Sequence, residues 1–273
     1  MGVDEHTTEV AGASVFYRRA AASGTETLYL HSVPTSSDDW GELLALTGGV
    51  APDLPGFGRS AKAETIDYSL PGYVTFVEAF LDALQLSEVN LVGHGWGAAI
   101  ALLFAQRHPD RVERVAAIDA IPLLPGFRWP AGARWLRRPA IGEMMMGSLS
   151  RRMLARLLRN ASATAAAWPD ARVTAIWEQF DQGTQRAILR LLRSIDERSL
   201  AAAGLDLGSL ERPVLVVWGE QDSWLDPSFA DAYARALPEA TVERVADAGH
   251  WPWLDQPELR ARLAAFVAGS PAT

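Results

Sequence analysis

Short apolar runs bounded by turn residues alternate along the chain with longer segments in which apolar residues recur every three or four positions. The short runs predict buried strands and the longer segments predict amphipathic helices. The predicted strands are residues 27–31, 49–52, 89–92, 112–118, 214–218 and 241–245, and the predicted helices are residues 73–86, 98–107, 228–236 and 257–267. Two further strands, near Glu9 and over residues 15–18, predict an antiparallel edge. This alternation indicates a mostly parallel sheet flanked by helices.

Residues 122–210 break the alternation of strands and helices. The stretch is rich in Arg, Ala, Leu and Met, has helical periodicity and contains no convincing strand. Its alanine-rich run, residues 161–167, is interpreted as helix rather than linker. We therefore predict an α/β core formed by residues 1–121 and 211–273, with residues 122–210 inserted as a helical cap.

Composition narrows the classes of partner and location. The chain has 273 residues, 49% hydrophobic and 21% charged, which is typical of a soluble globular protein. A formal net charge of −8 argues against nucleic acid or an anionic membrane surface as a partner. The absence of cysteine excludes disulfides and thiolate chemistry. The N-terminus lacks a signal-peptide pattern and no apolar stretch approaches the ~20 residues of a membrane span, so we predict a cytoplasmic protein with no membrane partner.

The densest motif is Leu-Val-Gly-His-Gly-Trp-Gly-Ala at residues 91–98. A predicted strand passes through closely spaced glycines directly into a predicted helix, which is the context of a nucleophile elbow. Gly93 and Gly97 are explained by close packing of the strand and helix around a sharp turn. The residue at the tip is Gly95, which has no side chain to present.

The segment from His94 to Gly97 resembles the His-Asp-Trp-Gly elbow of haloalkane dehalogenases and soluble epoxide hydrolases, with glycine in place of the aspartate. Other segments are similar to motifs of the same α/β-hydrolase superfamily and occur in the family's order: residues 31–37 with Trp40, residues 51–60, residues 219–222 and residues 248–252. The resemblance covers about residues 10–268. It implies an eight-stranded, mostly parallel α/β-hydrolase sheet with flanking helices and an inserted helical cap.

By this resemblance Asp222 is the catalytic acid and His250 the catalytic histidine. In such a site the acid fixes the histidine tautomer and stabilises the charge that the ring gains. Asp226, near the acid position, and Asp119, after the strand at residues 112–118, remain rival acids. His94 is not expected to act as a nucleophile, because its counterpart in relatives points away from the pocket.

The resemblance also assigns an oxyanion hole and a pocket. The backbone N–H groups of Trp96 and Val33 would be the oxyanion donors. Val33 stands where many dehalogenases use an asparagine to bind halide, so one of the two usual halide donors is missing. The predicted pocket residues are His31, Trp96, Trp129 and Trp251. Residues 122–210 contain no tyrosine, which counts against epoxide opening. No metal site and no cofactor are predicted.

Gly95 leaves three hypotheses open, because it cannot form the covalent ester of the dehalogenase mechanism. In the first hypothesis the chain is a hydrolase, either inactivated or using His250 and Asp222 directly on water or on a substrate proton. In the second it binds a small molecule without catalysis. In the third it is a structural partner of another protein. The presence of both members of the pair favours the hydrolase, acting on a small apolar ester- or haloalkane-like substrate. Glycine also relieves the strain of a positive φ at the tip. The sequence leaves the substrate and the oligomeric state open.

Overall fold

A computed structural model describes residues 2–269. The strands are β1 (Asp4–Val10), β2 (Ala13–Ala20), β3 (Thr27–Leu30), β4 (Gly49–Pro52), β5 (Val89–His94), β6 (Val112–Ile118), β7 (Val214–Gly219) and β8 (Ala240–Val245). The helices outside the predicted insertion are α1 (Gly41–Thr47), α2 (Leu70–Ala83), α3 (Trp96–Arg107), α10 (Ser228–Ala236), α11 (Pro252–Asp255) and α12 (Leu259–Val267). Those within it are α4 (Ala131–Leu136), α5 (Ile141–Ser148), α6 (Arg151–Asn160), α7 (Asp170–Gln179), α8 (Gln182–Ser194) and α9 (Glu197–Ala203).

The eight strands form one sheet in the order β1-β2-β4-β3-β5-β6-β7-β8. β1 pairs antiparallel with β2, and β2 pairs antiparallel with β4. All remaining neighbours are parallel. The predicted mostly parallel sheet with an antiparallel edge is confirmed. The loops that follow β3, β5, β6 and β7 therefore leave the sheet at the same edge.

Apolar side chains cover both faces of the sheet. Successive residues of a strand point to opposite faces, and Leu91 and Val92 of β5 accordingly belong to two different buried clusters. One cluster includes the apolar stripes of α2, α3 and α10, and the other includes those of α1 and α12. Burial on both sides explains why the central strands read as continuous apolar runs.

Helix boundaries differ from the predicted ones where capping outweighs apolar periodicity. α2 begins three residues before the predicted start because the Ser69 side chain accepts a hydrogen bond from the Gly72 N–H at 3.1 Å. It ends before the predicted end, and Gln85 has a φ of 57°. α3 begins at Trp96, two residues before its predicted start, directly after the turn at Gly95.

Residues 131–203 contain only helices and their connections, and no strand lies among the described residues between β6 and β7. The division into a core and a cap stays a prediction, and its outermost residues, 1 and 270–273, lie outside the described part. The interpretation of residues 161–167 as helix is wrong except for the short 3-10 turn at Ala165–Ala167. Backbone groups of Ala161, Ala163 and Thr164 bond instead to the segment around His250, as described below. No helix in residues 2–269 is long and apolar enough to cross a lipid bilayer.

Candidate active site

The turn between β5 and α3 is built around Gly95. Its φ of 52° and ψ of −111° lie in a region that a residue with a side chain enters only with strain. A Cβ added to Gly97 would overlap the carbonyl oxygen of Leu30, so the helix can pack this closely on β3 only with glycine there. The Gly95 carbonyl accepts hydrogen bonds from the N–H groups of Ala99 (3.2 Å) and Ile121 (3.0 Å), which fix the turn.

His250 and Asp222 lie beside this turn and form a buried pair. His250 Nδ1 is 2.7 Å from Asp222 Oδ2. The other carboxylate oxygen, Asp222 Oδ1, accepts the backbone N–H groups of Trp224 (2.7 Å) and Leu225 (3.1 Å). A Cβ placed on Gly95 would lie 3.7 Å from His250 Nε2. The predicted histidine and acid are thus brought together, with the free ring nitrogen near the tip of the turn.

The two rival acids have different surroundings. Asp226 is exposed and accepts a hydrogen bond from the Ser228 N–H at 2.9 Å, whereas the His250 ring bonds to Asp222. Asp119 is buried next to Asp222, and its Oδ1 accepts the Gly219 N–H at 3.0 Å. Burial and the negative charge of Asp222 raise the pKa of Asp119 well above its ordinary value. Asp222 is therefore the hydrogen-bond partner of His250, and Asp119 is a buried neighbour of the acid whose protonated form is favoured.

Asp119, Asp222 and His250 also form the one group within residues 2–269 whose side-chain donor atoms, all within 4.8 Å of one another, have metal-ligand spacing. The His250 Nδ1 and Asp222 Oδ2 atoms already bond to each other at 2.7 Å. The raised pKa of Asp119 favours its protonated form, and a metal ligand has to be deprotonated. Hydrogen bonds occupy His250 Nδ1, both oxygens of Asp222 and Asp119 Oδ1, whereas Asp119 Oδ2 has no hydrogen-bond partner among residues 2–269.

Two other histidines, His94 and His31, form hydrogen bonds between their ring nitrogens and the backbone of neighbouring loops. His94 Nε2 donates to the His250 carbonyl oxygen at 2.6 Å, and burial lowers the pKa of His94 well below its ordinary value, so the ring is neutral. His31 bonds through Nδ1 to the Ser32 carbonyl oxygen (2.8 Å) and through Nε2 to the Leu54 N–H (2.9 Å). The pocket role predicted for His31 stays a prediction, and this geometry leaves the ring no free polar atom for a substrate.

The predicted oxyanion donors flank Ser32. The Trp96 N–H, the first of α3, points at the Ser32 hydroxyl oxygen at 3.2 Å. Val33 follows Ser32, is half-buried, and precedes a cis peptide bond to Pro34. Ser32 is 3% exposed. The sequence pattern gave no reason to single out Ser32, because its closeness to Gly95 exists only after β3 and β5 have paired.

Aromatic side chains surround the histidine. The Trp224 ring lies 4.8 Å from the His250 ring, centroid to centroid. Trp96 stacks on Trp129 of the predicted insertion at 5.9 Å. Trp251, predicted for the pocket, is fully buried behind His250 against Trp168 and Trp224 at 4.9 and 5.1 Å. Trp96 and Trp129 are thus placed beside the turn, whereas Trp251 packs behind the histidine.

Asp255 also helps to position the loop that carries His250, and the sequence pattern did not single it out. Its carboxylate accepts the N–H groups of Gly249 (2.8 Å), Ala163 (2.9 Å) and Thr164 (3.0 Å). The His250 N–H donates to the Ala161 carbonyl oxygen at 2.7 Å. These four bonds tie the histidine loop to the end of α6 and set the position of the ring.

Several proteins with similar sequences or structures carry the names of hydrolases. A haloalkane dehalogenase of Mesorhizobium japonicum is 36% identical over 150 residues, which are 50% of this chain and 48% of that protein, so this match spans about half of each. A 2-hydroxymuconate semialdehyde hydrolase of Pseudomonas putida is 27% identical over 216 residues, 78% of this chain and 74% of that protein. The solved structure of haloalkane dehalogenase DbeA from Bradyrhizobium elkani superposes with a TM-score of 0.84 at 26% identity, covering 98% of both chains. Residues 28–257 match the family model of the alpha/beta hydrolase fold, and the chain belongs to this family.

Proposed function

We propose that this chain is a hydrolase in which His250 and Asp222 work without a nucleophilic side chain at position 95. Asp222 holds the His250 ring through Nδ1, which leaves Nε2 to take a proton from water or from another group in the site. The backbone N–H groups of Trp96 and Val33 stabilise the negative charge that develops on the substrate. The observation that carries this proposal is the buried 2.7 Å hydrogen bond between His250 and Asp222 beside the turn at Gly95.

The substrate class is a small apolar molecule with an ester-like or haloalkane-like reacting group. The aromatic walls near the turn favour apolar ligands. Trp129 Nε1 is a buried N–H donor without a partner among residues 2–269, and it is available to a ligand atom. The relatives whose names specify haloalkanes support the same class. Residues 122–210 act in this proposal as the cap over the pocket, and epoxide opening is disfavoured because they contain no tyrosine.

Gly95 itself favours a second candidate, a non-catalytic protein that binds a small molecule, which includes an inactivated dehalogenase. If no nucleophile is needed at the turn, glycine is the favoured residue, because it adopts the φ of 52° without the strain that a Cβ would cause. The two candidates differ in the part played by His250. Catalysis requires its free Nε2, whereas binding of an apolar ligand does not.

The deciding experiment is turnover of a panel of short-chain esters and 1-haloalkanes, with epoxides included, by the unaltered chain and by His250→Ala. We expect turnover of at least one ester or haloalkane, and a loss on the order of 10²–10⁴-fold in His250→Ala because the general base is removed. Ligand affinity, followed by tryptophan fluorescence, should change little. Saturable binding without any turnover would establish the binding protein instead.

The two acids provide a matched control for this experiment. Asp222→Asn removes the charge that orients His250 and should lower turnover strongly. Asp226→Asn makes the same chemical change at an exposed aspartate four residues away and keeps its hydrogen bond to the Ser228 N–H. Turnover that falls equally in both variants, or that persists in His250→Ala, contradicts the proposal.

A further inference from the structure

The volume that a side chain at position 95 would occupy is filled by Ser32. A Cβ built on Gly95 would overlap the Ser32 hydroxyl oxygen and lie only 2.8 Å from Ser32 Cβ. The same point is 3.7 Å from His250 Nε2. Ser32 Oγ and His250 Nε2 therefore border one small volume at the tip of the turn. A serine hydroxyl stands in this volume although residue 95 contributes no side chain.

The hydroxyl of Ser32 is held as an acceptor and keeps its own proton free. Its oxygen accepts the Trp96 N–H at 3.2 Å, and Ser32 is 3% exposed. Within residues 2–269 the Ser32 hydroxyl has no hydrogen-bond acceptor. Because His250 Nδ1–H donates to Asp222, Nε2 of the neutral ring is an acceptor. The buried hydroxyl proton and the free ring nitrogen are complementary.

The backbone of Ser32 is fixed by its neighbours, which limits where the hydroxyl can point. The Ser32 carbonyl oxygen accepts the Thr35 N–H (3.2 Å), the Thr35 hydroxyl (3.0 Å) and the His31 Nδ1–H (2.8 Å). A nucleophile has to be held in place in this way to react efficiently. The Trp96 N–H at the start of a 12-residue helix adds a positive partial charge beside the oxygen.

From this geometry we propose that Ser32 is the nucleophile of the site, supplied by the loop after β3 instead of by the turn after β5. Ser32, His250 and Asp222 then form a catalytic triad in which position 95 contributes only space. This inference rests on the proposed hydrolase function and identifies the group on which the His250–Asp222 pair acts. It also narrows the substrate to esters, since a serine acyl intermediate is hydrolysed by the same histidine.

The reaction proceeds in two balanced steps. Ser32 Oγ attacks the ester carbonyl carbon while its proton moves to His250 Nε2; the carbon–oxygen bond to the alcohol then breaks, and the alcohol leaves with that proton. Water next attacks the acyl-Ser32 carbon and gives a proton to Nε2. The bond to Ser32 Oγ breaks, the acid leaves and the proton returns to Oγ. The Trp96 N–H becomes available to the oxyanion once Oγ has bonded to carbon.

The first test compares Ser32→Ala with Ser36→Ala in hydrolysis of short-chain 4-nitrophenyl esters. Ser36 is a buried serine of the same loop whose hydroxyl caps the 3-10 turn at Ser37–Trp40. We expect Ser32→Ala to lower kcat by on the order of 10³-fold or more, as for removal of a serine nucleophile. Ser36→Ala should remain within a few-fold. Thermal unfolding of both variants establishes that they are folded.

The second test traps the nucleophile. The unaltered chain is treated with diethyl 4-nitrophenyl phosphate, digested, and mapped by mass spectrometry. We expect the diethylphosphoryl group on Ser32, and no adduct on Ser32 in His250→Ala. In addition, Ser32→Cys creates a single thiol in a chain that has no cysteine. Iodoacetamide should alkylate this thiol faster than the thiol of Ser36→Cys, and this advantage should disappear when His250→Ala is added.

The outcomes separate this inference from the proposed function. Ester turnover that is lost in His250→Ala but persists in Ser32→Ala, with no adduct on Ser32, overturns the nucleophile and leaves a pair that activates water. An adduct on Ser32 that depends on His250, without turnover of the panel, supports the nucleophile and contradicts the substrate class. Neither turnover nor adduct in the folded chain overturns both.

Discussion

At the scale of single residues, positions 32 and 95 cannot both carry a free side chain. The overlap between a Cβ at residue 95 and the Ser32 hydroxyl is reinforced by the 2.8 Å approach to Ser32 Cβ, which rotation of the serine does not relieve. The φ of 52° at Gly95 adds backbone strain for any other residue. The identities of these two residues are therefore coupled through packing.

Gly95→Ser should accordingly destabilise the chain by roughly 1–3 kcal/mol from strain, with a further contribution from the overlap. Adding Ser32→Gly should recover part of this loss, because it removes the overlapping atoms. The measurement is a double-mutant cycle of urea unfolding free energies over the four chains. Additive effects would mean that the two side-chain positions do not share a volume.

The same pair governs any attempt to install an aspartate nucleophile. Gly95→Asp alone should give little haloalkane turnover, because Ser32 occupies the space that the carboxylate needs. Gly95→Asp combined with Ser32→Gly should release halide from 1-haloalkanes, which a halide assay measures. Equal activity in the single and double variants would contradict this coupling.

A separate prediction concerns the effect of substitutions at Asp119 on ester turnover. Burial and the charge of Asp222 favour the uncharged form of the Asp119 carboxyl, and Asp119→Asn is also uncharged and keeps an acceptor for the Gly219 N–H. Asparagine also tolerates the φ of 41° at this position. We expect ester turnover within about threefold of the original for Asp119→Asn and a clearly larger loss for Asp119→Ala. A large loss in Asp119→Asn would mean that the carboxylate form is required.

The pairing of His250 with Asp222 could be predicted from the resemblance and from the position of each residue after a strand. The strand ends alone do not decide it, because Asp119 follows a strand of the same sheet. The sequence does not allow the position of Ser32 to be predicted. Ser32 lies 64 residues from Trp96, and the hydrogen bond between them forms only when two non-consecutive strands pair. The contact is tertiary, and neither the apolar periodicity nor the turn residues of the sequence indicate it.

At the scale of secondary-structure elements, the strands could be predicted closely because burial on both faces gives uninterrupted apolar runs. β4 and β6 have the predicted bounds. The prediction of a helix at residues 161–167 is wrong for a specific reason. There the backbone donors bond to Asp255 and an Ala161 carbonyl accepts from His250, so tertiary hydrogen bonds replace the helical ones despite the alanine content.

Asp255→Ala tests whether these bonds position the loop that carries His250. Three N–H groups would lose their acceptor, at a cost of about 1–3 kcal/mol for each that stays buried and unpaired. We expect lower stability, faster amide hydrogen exchange at residues 161–164 and 249–250, and a lower kcat. Asp247→Ala, at an exposed aspartate nearby, is the control and should change none of these. Unchanged exchange in Asp255→Ala would remove the positioning role.

At the scale of the whole molecule, the site is enclosed. Ser32, Trp96 and His250 are each at most 3% exposed, so the proposed function requires surrounding groups to move before a substrate can reach them. Hydrogen bonds connect the predicted insertion to the rest of the chain. Lys62 Nζ donates to the Gln179 carbonyl oxygen and to Asp181, both at 2.9 Å, and the Gln179 amide donates to Asp38 at 3.0 Å. These half-exposed contacts are individually weak, which is compatible with opening.

Two neighbouring aspartates beside these contacts have pKa values shifted in opposite directions. Burial raises the pKa of Asp39 to about 6, against a hydrogen bond from Thr35 and the positive charge of Arg172. Burial also acts on Asp38, but hydrogen bonds and charge from Arg59, with further contributions from Gln179 and Arg18, outweigh it and lower that pKa to about 2. The stability of the folded chain should therefore respond to pH in two separate ranges.

For Asp38 the folded pKa lies below the unfolded one, so its stabilisation is present above about pH 4 and is lost as pH falls towards 2. For Asp39 the folded pKa lies above the unfolded one, so stability is highest below about pH 4 and decreases as pH rises to about 6. Asp39→Asn removes the second effect and should raise the free energy of unfolding at pH 7 by on the order of 3 kcal/mol. Urea unfolding at intervals from pH 4 to 7 measures it: the difference between Asp39→Asn and the unaltered chain should grow as pH rises, since only the unaltered chain has to ionise a buried carboxyl. A difference that stays constant over this range would show that Asp39 does not titrate there.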